Sequence, residues 1–466
     1  MRLYLLPNQL FYTHVEKLVR NKKISSIYLI EHPLFFSSKK RIHKFHIFKL
    51  VLHRASMMAF KDHFSKYLPV TILPYPYSKN IQFLGSHSKE KYMAFDPVDH
   101  DISGNTNANA MVVDSPGFLL TNGNMGEYKS HCTQKKIQPL QHSNFYKWQL
   151  DRMKPIGITK SLDKQNRNPF PKKNPPHVPG LMGLSKKDKD YIQIAFHNIR
   201  KSNIKYYDYE GKHKGNDENA FLYPVTRNTA LAWLHDFIHN KLALFGTYQD
   251  AISTKHPFLF HSMLSSSINI GLLTPSEVLQ EVSKAYKKGD IPLNSYEGFV
   301  RQIIGWREYE RFLYVEIGEE LVKSNHFNHN KDLPIKGWYT SSPEIAHHAY
   351  GPLHDAIVGA YRSAYMHHIQ RLMVVMNYML LSGISPTSMY KWFMTFSIDA
   401  YDWVMVGNVY SMGFASTKGM RKPYISSSNY LLKMSDSKKD GVWDKEWDEL
   451  YRKFVDTNGI YGRKNM

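Results

Sequence analysis

The sequence predicts a doubly wound α/β domain at the amino terminus, joined through a basic, proline-rich stretch to an all-helical domain. Three observations point to this. Short apolar runs alternate with helical patterns over the first 150 residues; prolines and cations crowd residues 153–215; after Phe221 apolar residues recur at helical spacing. The segments drawn from these shifts are 1–150, 151–215 and 216–466.

In the first segment, residues 3–6, 27–30, 70–73 and 111–113 read as strands, and residues 43–64 as a basic amphipathic helix. Neither a G-x-G-x-x-G fingerprint nor a G-x-x-x-x-G-K-[ST] loop occurs, so neither a dinucleotide fold nor a phosphate loop is claimed. The second segment carries Pro169, Pro171, Pro175, Pro176 and Pro179 among Lys164, Arg167, Lys172 and Lys173. Proline cannot continue a regular helix, and the stretch reads as an extended, solvated connector. In the third segment Ala230, Trp233, Leu234, Phe237, Ile238 and Leu242 mark one apolar helix face. Thr274-Pro275-Ser276-Glu277 is a capping box with proline in the first turn, and Ser385-Pro386 repeats the cap. Residues 360–381 read as one long apolar helix that Gly383 ends.

Composition bounds the chemistry. With 42% apolar residues and 14% aromatics, 466 residues can fill more than one core. The 61 Lys and Arg against 40 Asp and Glu leave +21, a surplus that suits either a polyanionic partner, such as nucleic acid or an anionic membrane, or a plain basic surface. The first residues lack the form of a signal peptide, and the longest later apolar run, 372–381, carries Asn377 and is short of a membrane span. A soluble, intracellular protein is expected. The single cysteine, Cys132, excludes an internal disulfide framework, a cysteine-ligated zinc site and any cluster built on several thiolates of this chain.

Among 24 histidines, His367 and His368 stand three to four residues from Arg371 on the expected helix. Such a pair serves either as an acid/base device beside a cavity or as two satisfied structural imidazoles. The pairs His235/His239, His326/His329 and His347-His348 invite a metal, but only the first has helical ligand spacing, and it lacks the intervening Glu of a zinc hydrolase. No G-x-S-x-G elbow is present. Trp306, Trp338, Trp392, Trp403, Trp443 and Trp447 supply the helical half with indoles, for a core or for electron conduction.

Specific strings narrow the reading. Residues 261–275 (HSMLSSSINIGLLTP) resemble the flavin phosphate loop of photolyases, and residues 297–309 (EGFVRQIIGWREY) the helix that follows it. With residues 367–373 (HHIQRLM), 399–404 (DAYDWV) and 422–427 (KPYISS), they are similar to the bacterial iron–sulfur cryptochrome and (6-4) photolyase group of the photolyase/cryptochrome superfamily. The amino-terminal half is similar more loosely, through residues 6–10, the helix near Lys44 and residues 163–167.

The resemblance implies FAD in the helical domain, damaged DNA as partner, and light-driven electron transfer from reduced flavin to a flipped pyrimidine photoproduct. Tyr248, Ser262, Leu264, Ser265 and Asn269 would line the phosphate and ribityl side with Arg307; Arg371 and Asp399 would pair beside the flavin ring, with Tyr401 adjoining. His367 and His368 match the histidines that protonate the lesion, and Trp392 and Trp338 the photoreducing relay; Phe393 stands where the group often carries tyrosine. A ribityl-lumazine antenna in the amino-terminal domain and a monomeric, non-membrane protein follow from the same resemblance. Two departures accompany it. Pro352, Lys438 and the short segment after Met434 replace the group's cluster cysteines, so no iron–sulfur cluster is expected. Met405 stands where relatives place a carboxylate facing the flavin's reactive nitrogen, and a thioether cannot relay a proton. A repair enzyme is the leading expectation; a blue-light receptor without repair activity, or a DNA-binding scaffold that has lost its chemistry, are the alternatives.

Overall fold

The computed structural model describes residues 1–76, 91–103, 109–209, 219–339, 351–414 and 423–459. The His347-His348 doublet, Lys422 and the 215/216 boundary lie outside the described residues. Strands β1 (Arg2–Leu5), β2 (Ser26–Ile30), β3 (Val70–Leu73), β4 (Tyr92–Phe95) and β5 (Ala110–Val113) form one parallel sheet ordered β3-β2-β1-β4-β5. Leu3, Leu5, Ile27 and Leu29 are fully buried in it. Strand β4 is absent from the sequence reading: its short run has no β-branched residue and follows a charged stretch.

Strand order reverses between β1 and β4, the place where doubly wound sheets open a crevice at their carboxyl ends. Gln9 fills it. Its side-chain amide donates to the carbonyls of Phe95 and Asp96 at 3.0 and 3.3 Å and accepts from the Leu6 amide at 3.1 Å. The remaining crevice is about 10 Å³. Beside it the Leu10 amide donates to Ile270 across the domains at 2.9 Å. Gly271, at φ +89°, permits this approach, because a Cβ there would lie 2.8 Å from the Phe11 ring and 2.9 Å from the Leu10 nitrogen.

The stretch expected to be amphipathic forms helix α1 (Ile47–Phe64), but it is buried nearly all round. Lys49 and His53, which the pattern counts as polar face, point inward. The Lys49 ammonium donates to the carbonyls of Met394 and Ala400, and the His53 Nε2 meets the Tyr401 hydroxyl at 2.8 Å. The extended-connector reading also needs correction: helix α2 (Lys186–Lys201) lies within it and packs on α1. Its Asp188 carboxylate accepts from the backbone amides of Val225 and Thr226 at 2.9 Å each, tying the connector to the start of the helical domain.

The helical domain begins with α3 (Arg227–Asn240), which buries Ala230, Trp233, Leu234, Phe237 and Ile238; Leu242 falls in the next helix, α4 (Leu242–Tyr248). The Thr274 and Glu277 capping box opens α5 (Pro275–Lys287) as expected, and Ser385 caps α6 (Pro386–Phe396). Helix α7 (Leu293–Val300) runs through a π-helical turn, Arg301–Arg307, into α8 (Glu308–Leu321). The expected single helix over 360–381 is two. Helix α9 (Pro352–Ser363) ends where Ala364 turns left-handed at φ +51°, and the chain resumes as a π-helical turn, Gln370–Met376, and α10 (Asn377–Leu381). The Ala364 carbonyl is held there by the Ile398 amide at 2.9 Å. Gly383, at φ +79°, closes α10 as expected: its amide donates to Leu380 and that of Ile384 to Met379. Helix α11 (Asp402–Val406) passes into a third π-helical turn, Gly407–Gly413, and α12 (Trp443–Asn458) follows.

Candidate functional site

A cavity of about 990 Å³ opens in the helical half, at the upper end of the range for ligand sites. All three π-helical turns wall it, through Arg301 and Arg307, through Arg371 and Met373, and through Asn408 and Met412. Such turns recur at functional sites because the wider turn re-aims side chains. The connector lends Ser161, Asp163 and Arg167 to the wall, so it is more than a spacer.

Ser262, Ser265, Asn269, Arg307, His367, His368, Arg371, Asp399 and Met405 are brought together on this cavity. Arg371 donates to Asp399 at 2.7 Å and to the Met366 carbonyl at 2.8 Å. Burial alone would raise the Asp399 pKa; Arg371, the Ser265 hydroxyl and its own backbone outweigh it and hold the carboxylate below its usual value. Asn269 donates to the Asp399 carbonyl at 2.8 Å and accepts from Arg307, which also reaches the Gly117 carbonyl at 3.0 Å. One chain of polar contacts thus runs from the ion pair to the rim of the switch-point crevice.

Five predicted residues lie elsewhere: Tyr248, Leu264, Tyr401, Trp338 and Trp392. Tyr248 stacks on Phe260 at 5.7 Å behind the wall, and Leu264 is buried in the core. Tyr401 turns to His53 in the α/β domain, with the Lys49 ammonium 5.2 Å over its ring. Trp392 and Trp338 are buried behind the cavity, edge to face at 5.6 Å, with the Trp392 indole donating to the Trp338 carbonyl at 2.7 Å. Trp338 continues to Tyr378 at 6.2 Å and Tyr378 to Trp447 at 5.7 Å. Phe393 packs on Trp392 at 5.2 Å.

The histidines form a group of three. His367 stacks on His261 at 4.5 Å, and neither His367 ring nitrogen has a partner. Burial, then the neighbouring His261, His368 and Arg371, push its pKa well down; His368 is exposed to the cavity, and its enclosure by the surrounding protein, then Arg371 and His261, lower it as well. The buried His367 imidazole is therefore neutral at neutral pH, with one N–H and one lone pair. His261 stands in the loop string with nothing in the sequence to give it a role; only the fold brings it against His367. Glu310 also lines the cavity, although its spacing from Arg307 suggests an ordinary helix ion pair.

The cavity fits a flavin nucleotide in chemistry as in volume. It offers an ion pair and unpartnered polar atoms (Arg307 Nε, Gln249 Oε1, both His367 nitrogens) beside apolar walls of Phe299, Leu372, Met373 and Met405. Among the described residues no group of three or more His, Cys, Asp or Glu could hold a metal. His235 and His239 are exposed. Cys132 is buried. The two positions where the resemblance looks for thiolates, Pro352 and Lys438, are bridged by the Trp443 indole, which packs on Gly351 and donates to the Lys438 carbonyl at 2.9 Å. Among the described residues no helix is long and apolar enough to cross a membrane.

Comparison with known proteins agrees with this geometry. The family model for deoxyribodipyrimidine photo-lyase-related protein matches residues 3–207. A (6-4) photolyase of Agrobacterium fabrum is 34% identical over 325 residues, 67% of this chain and 59% of that protein, so the match spans less than two thirds of the relative's length. An uncharacterized protein, R855, of Acanthamoeba polyphaga mimivirus is 55% identical over 85 residues, 18% of this chain and 69% of that one. The crystal structure of a Synechocystis sp. PCC6803 cryptochrome superposes with a TM-score of 0.60 over 93% of this chain and 88% of its own, at 14% identity, a likeness of fold. Sheet order, helical half, central cavity and these matches converge: the chain has the photolyase/cryptochrome fold and is similar to that superfamily in sequence.

Proposed function

We propose that the chain is a light-dependent DNA repair flavoprotein of (6-4) photolyase type, with FAD in the central cavity and a damaged pyrimidine as substrate. The observation that carries this reading is the meeting of His367 and His368 with the Arg371–Asp399 pair on one cavity. Bound and reduced, FAD would supply the light absorption and the electron that a flipped photoproduct receives. Arg371, fixed by Asp399 and Met366, presents a steady positive charge to the cavity. His367, neutral and with both ring nitrogens unpartnered, can hand over a proton at one nitrogen or take one at the other. Trp392 and Trp338 serve as the buried relay that restores the electron supply.

The +21 charge suits DNA phosphates, and a damaged base stacks poorly and costs less to extrude. A ribityl-lumazine antenna would have to sit away from the switch-point crevice, which Gln9 fills. The protein is taken to act as a monomer without an iron–sulfur cluster, since Cys132 is its single thiol. Illuminating the purified, reduced protein with (6-4) lesion DNA tests the reading: restored bases support it, and none restored by a flavin-loaded sample, beside a working control enzyme, sinks it.

Met405 favours a second reading, a cryptochrome-like receptor without repair, because a thioether in the cavity wall cannot relay a proton to the flavin. Equal affinity for lesion-bearing and intact DNA would support the receptor; preference for the lesion supports repair.

A further inference from the structure

Glu310 is 3% exposed, lines the cavity, and has no hydrogen-bond partner on either carboxyl oxygen. Its neighbour on α8 shows what an ordinary buried carboxylate looks like here: Glu308 accepts from the Leu119 and Leu120 amides at 3.1 and 2.8 Å. Glu310 has no such answer. Arg307, one turn away, spends its guanidinium on Asn269 and Gly117. Tyr309 and Tyr424 are the titratable groups whose protonation feels Glu310, and both are neutral.

Space has been made for it. Gly407 opens the π-helical turn after Met405, and a Cβ at Gly407 would lie 1.6 Å from Glu310 Oε2. The carboxyl therefore enters the wall between Met405 and Asn408, beside the position where the resemblance expects a carboxylate. An unpaired buried charge costs far more than a neutral acid, and burial raises the Glu310 pKa to about 8.

We propose that Glu310 is the proton-exchanging group of the cavity, supplying from α8 the carboxyl that position 405 lacks. The inference rests on the flavin reading above. In the step, each bound ligand gains one electron, and two such reductions oxidise one added dithiol to its disulfide, releasing two protons to solvent. The Glu310 O–H bond breaks, an N–H bond forms at a ring nitrogen of the ligand, and solvent reprotonates the carboxylate.

The test illuminates the whole chain, flavin-loaded, with dithiothreitol and follows in the visible spectrum the rate at which the reduced ligand becomes protonated. Glu310→Gln should keep its flavin and protonate it ~100-fold more slowly, and adding Met405→Glu should restore the rate. Infrared difference spectra of the unaltered protein should lose a carboxylic-acid band on illumination. An unchanged protonation rate in a flavin-loaded Glu310→Gln protein, or no change in that band, overturns the role of Glu310 alone. A chain that purifies colourless and takes up no flavin overturns the flavin reading and this inference with it.

Discussion

At Asp399 burial and pairing pull in opposite directions, and the 2.7 Å contact with Arg371 decides the outcome. Removing one partner strands the other, so Arg371→Ala should cost about 3–5 kcal/mol in urea unfolding, more than the Arg371→Ala, Asp399→Ala double variant. Glu310 has the opposite signature. Its folded pKa, raised by burial from 4.5 to about 8, means its contribution is full below 4.5 and lost as pH rises through 8. The flavin-free Glu310→Gln protein should therefore gain on the order of 1–3 kcal/mol over the unaltered chain at pH 8.5, with little difference at pH 5. A shared crowding links Glu310 to Gly407: Gly407→Ala should destabilise by about 1–3 kcal/mol, and much less in a Glu310→Ala background.

Among elements, α12 holds the corner where the sequence resemblance would put thiolates. Trp443 is 5% exposed, lies against Gly351 at φ +119°, and fastens Lys438. Trp443→Ala should remove about 3–5 kcal/mol, read as a lower urea midpoint. Strands β1, β2, β3 and β5 were legible because apolar runs of strand length stand between turn signals. Helix α1 looks amphipathic in sequence because Lys49 and His53 are inside only by virtue of partners hundreds of residues away. The break at Ala364 has no glycine or proline to announce it; a tertiary hydrogen bond from Ile398 holds it. Much of the cavity was legible through resemblance, since Arg371 and Asp399 meet only after folding. Glu310 was hidden because helical spacing suggests a pair with Arg307 that the π-helical turn does not make.

For the whole molecule, buried imidazoles set the acid limit. Burial lowers His46 to about 4, and burial also takes His53 and His142 to about 3. Each group binds more protons unfolded than folded between those values and 6.5, so stability is full above pH 6.5 and falls as pH drops toward 4. The loss is up to about 3 kcal/mol per imidazole, and urea midpoints at pH 7 and 4.5 should show it; His46→Gln should flatten the slope.

The Lys49 ammonium crosses from the sheet-bearing half to the carbonyls of Met394 and Ala400, beside the loop that carries Asp399. Anyone dissecting the gene inherits the result. A fragment starting after the connector would leave two inward carbonyls without a donor and the Asp399 loop unbraced, so the helical half is poorly suited to life as an autonomous module. Supplying the missing half in trans is then the natural complementation assay: two separately colourless fragments that turn yellow on mixing would locate the shared seam.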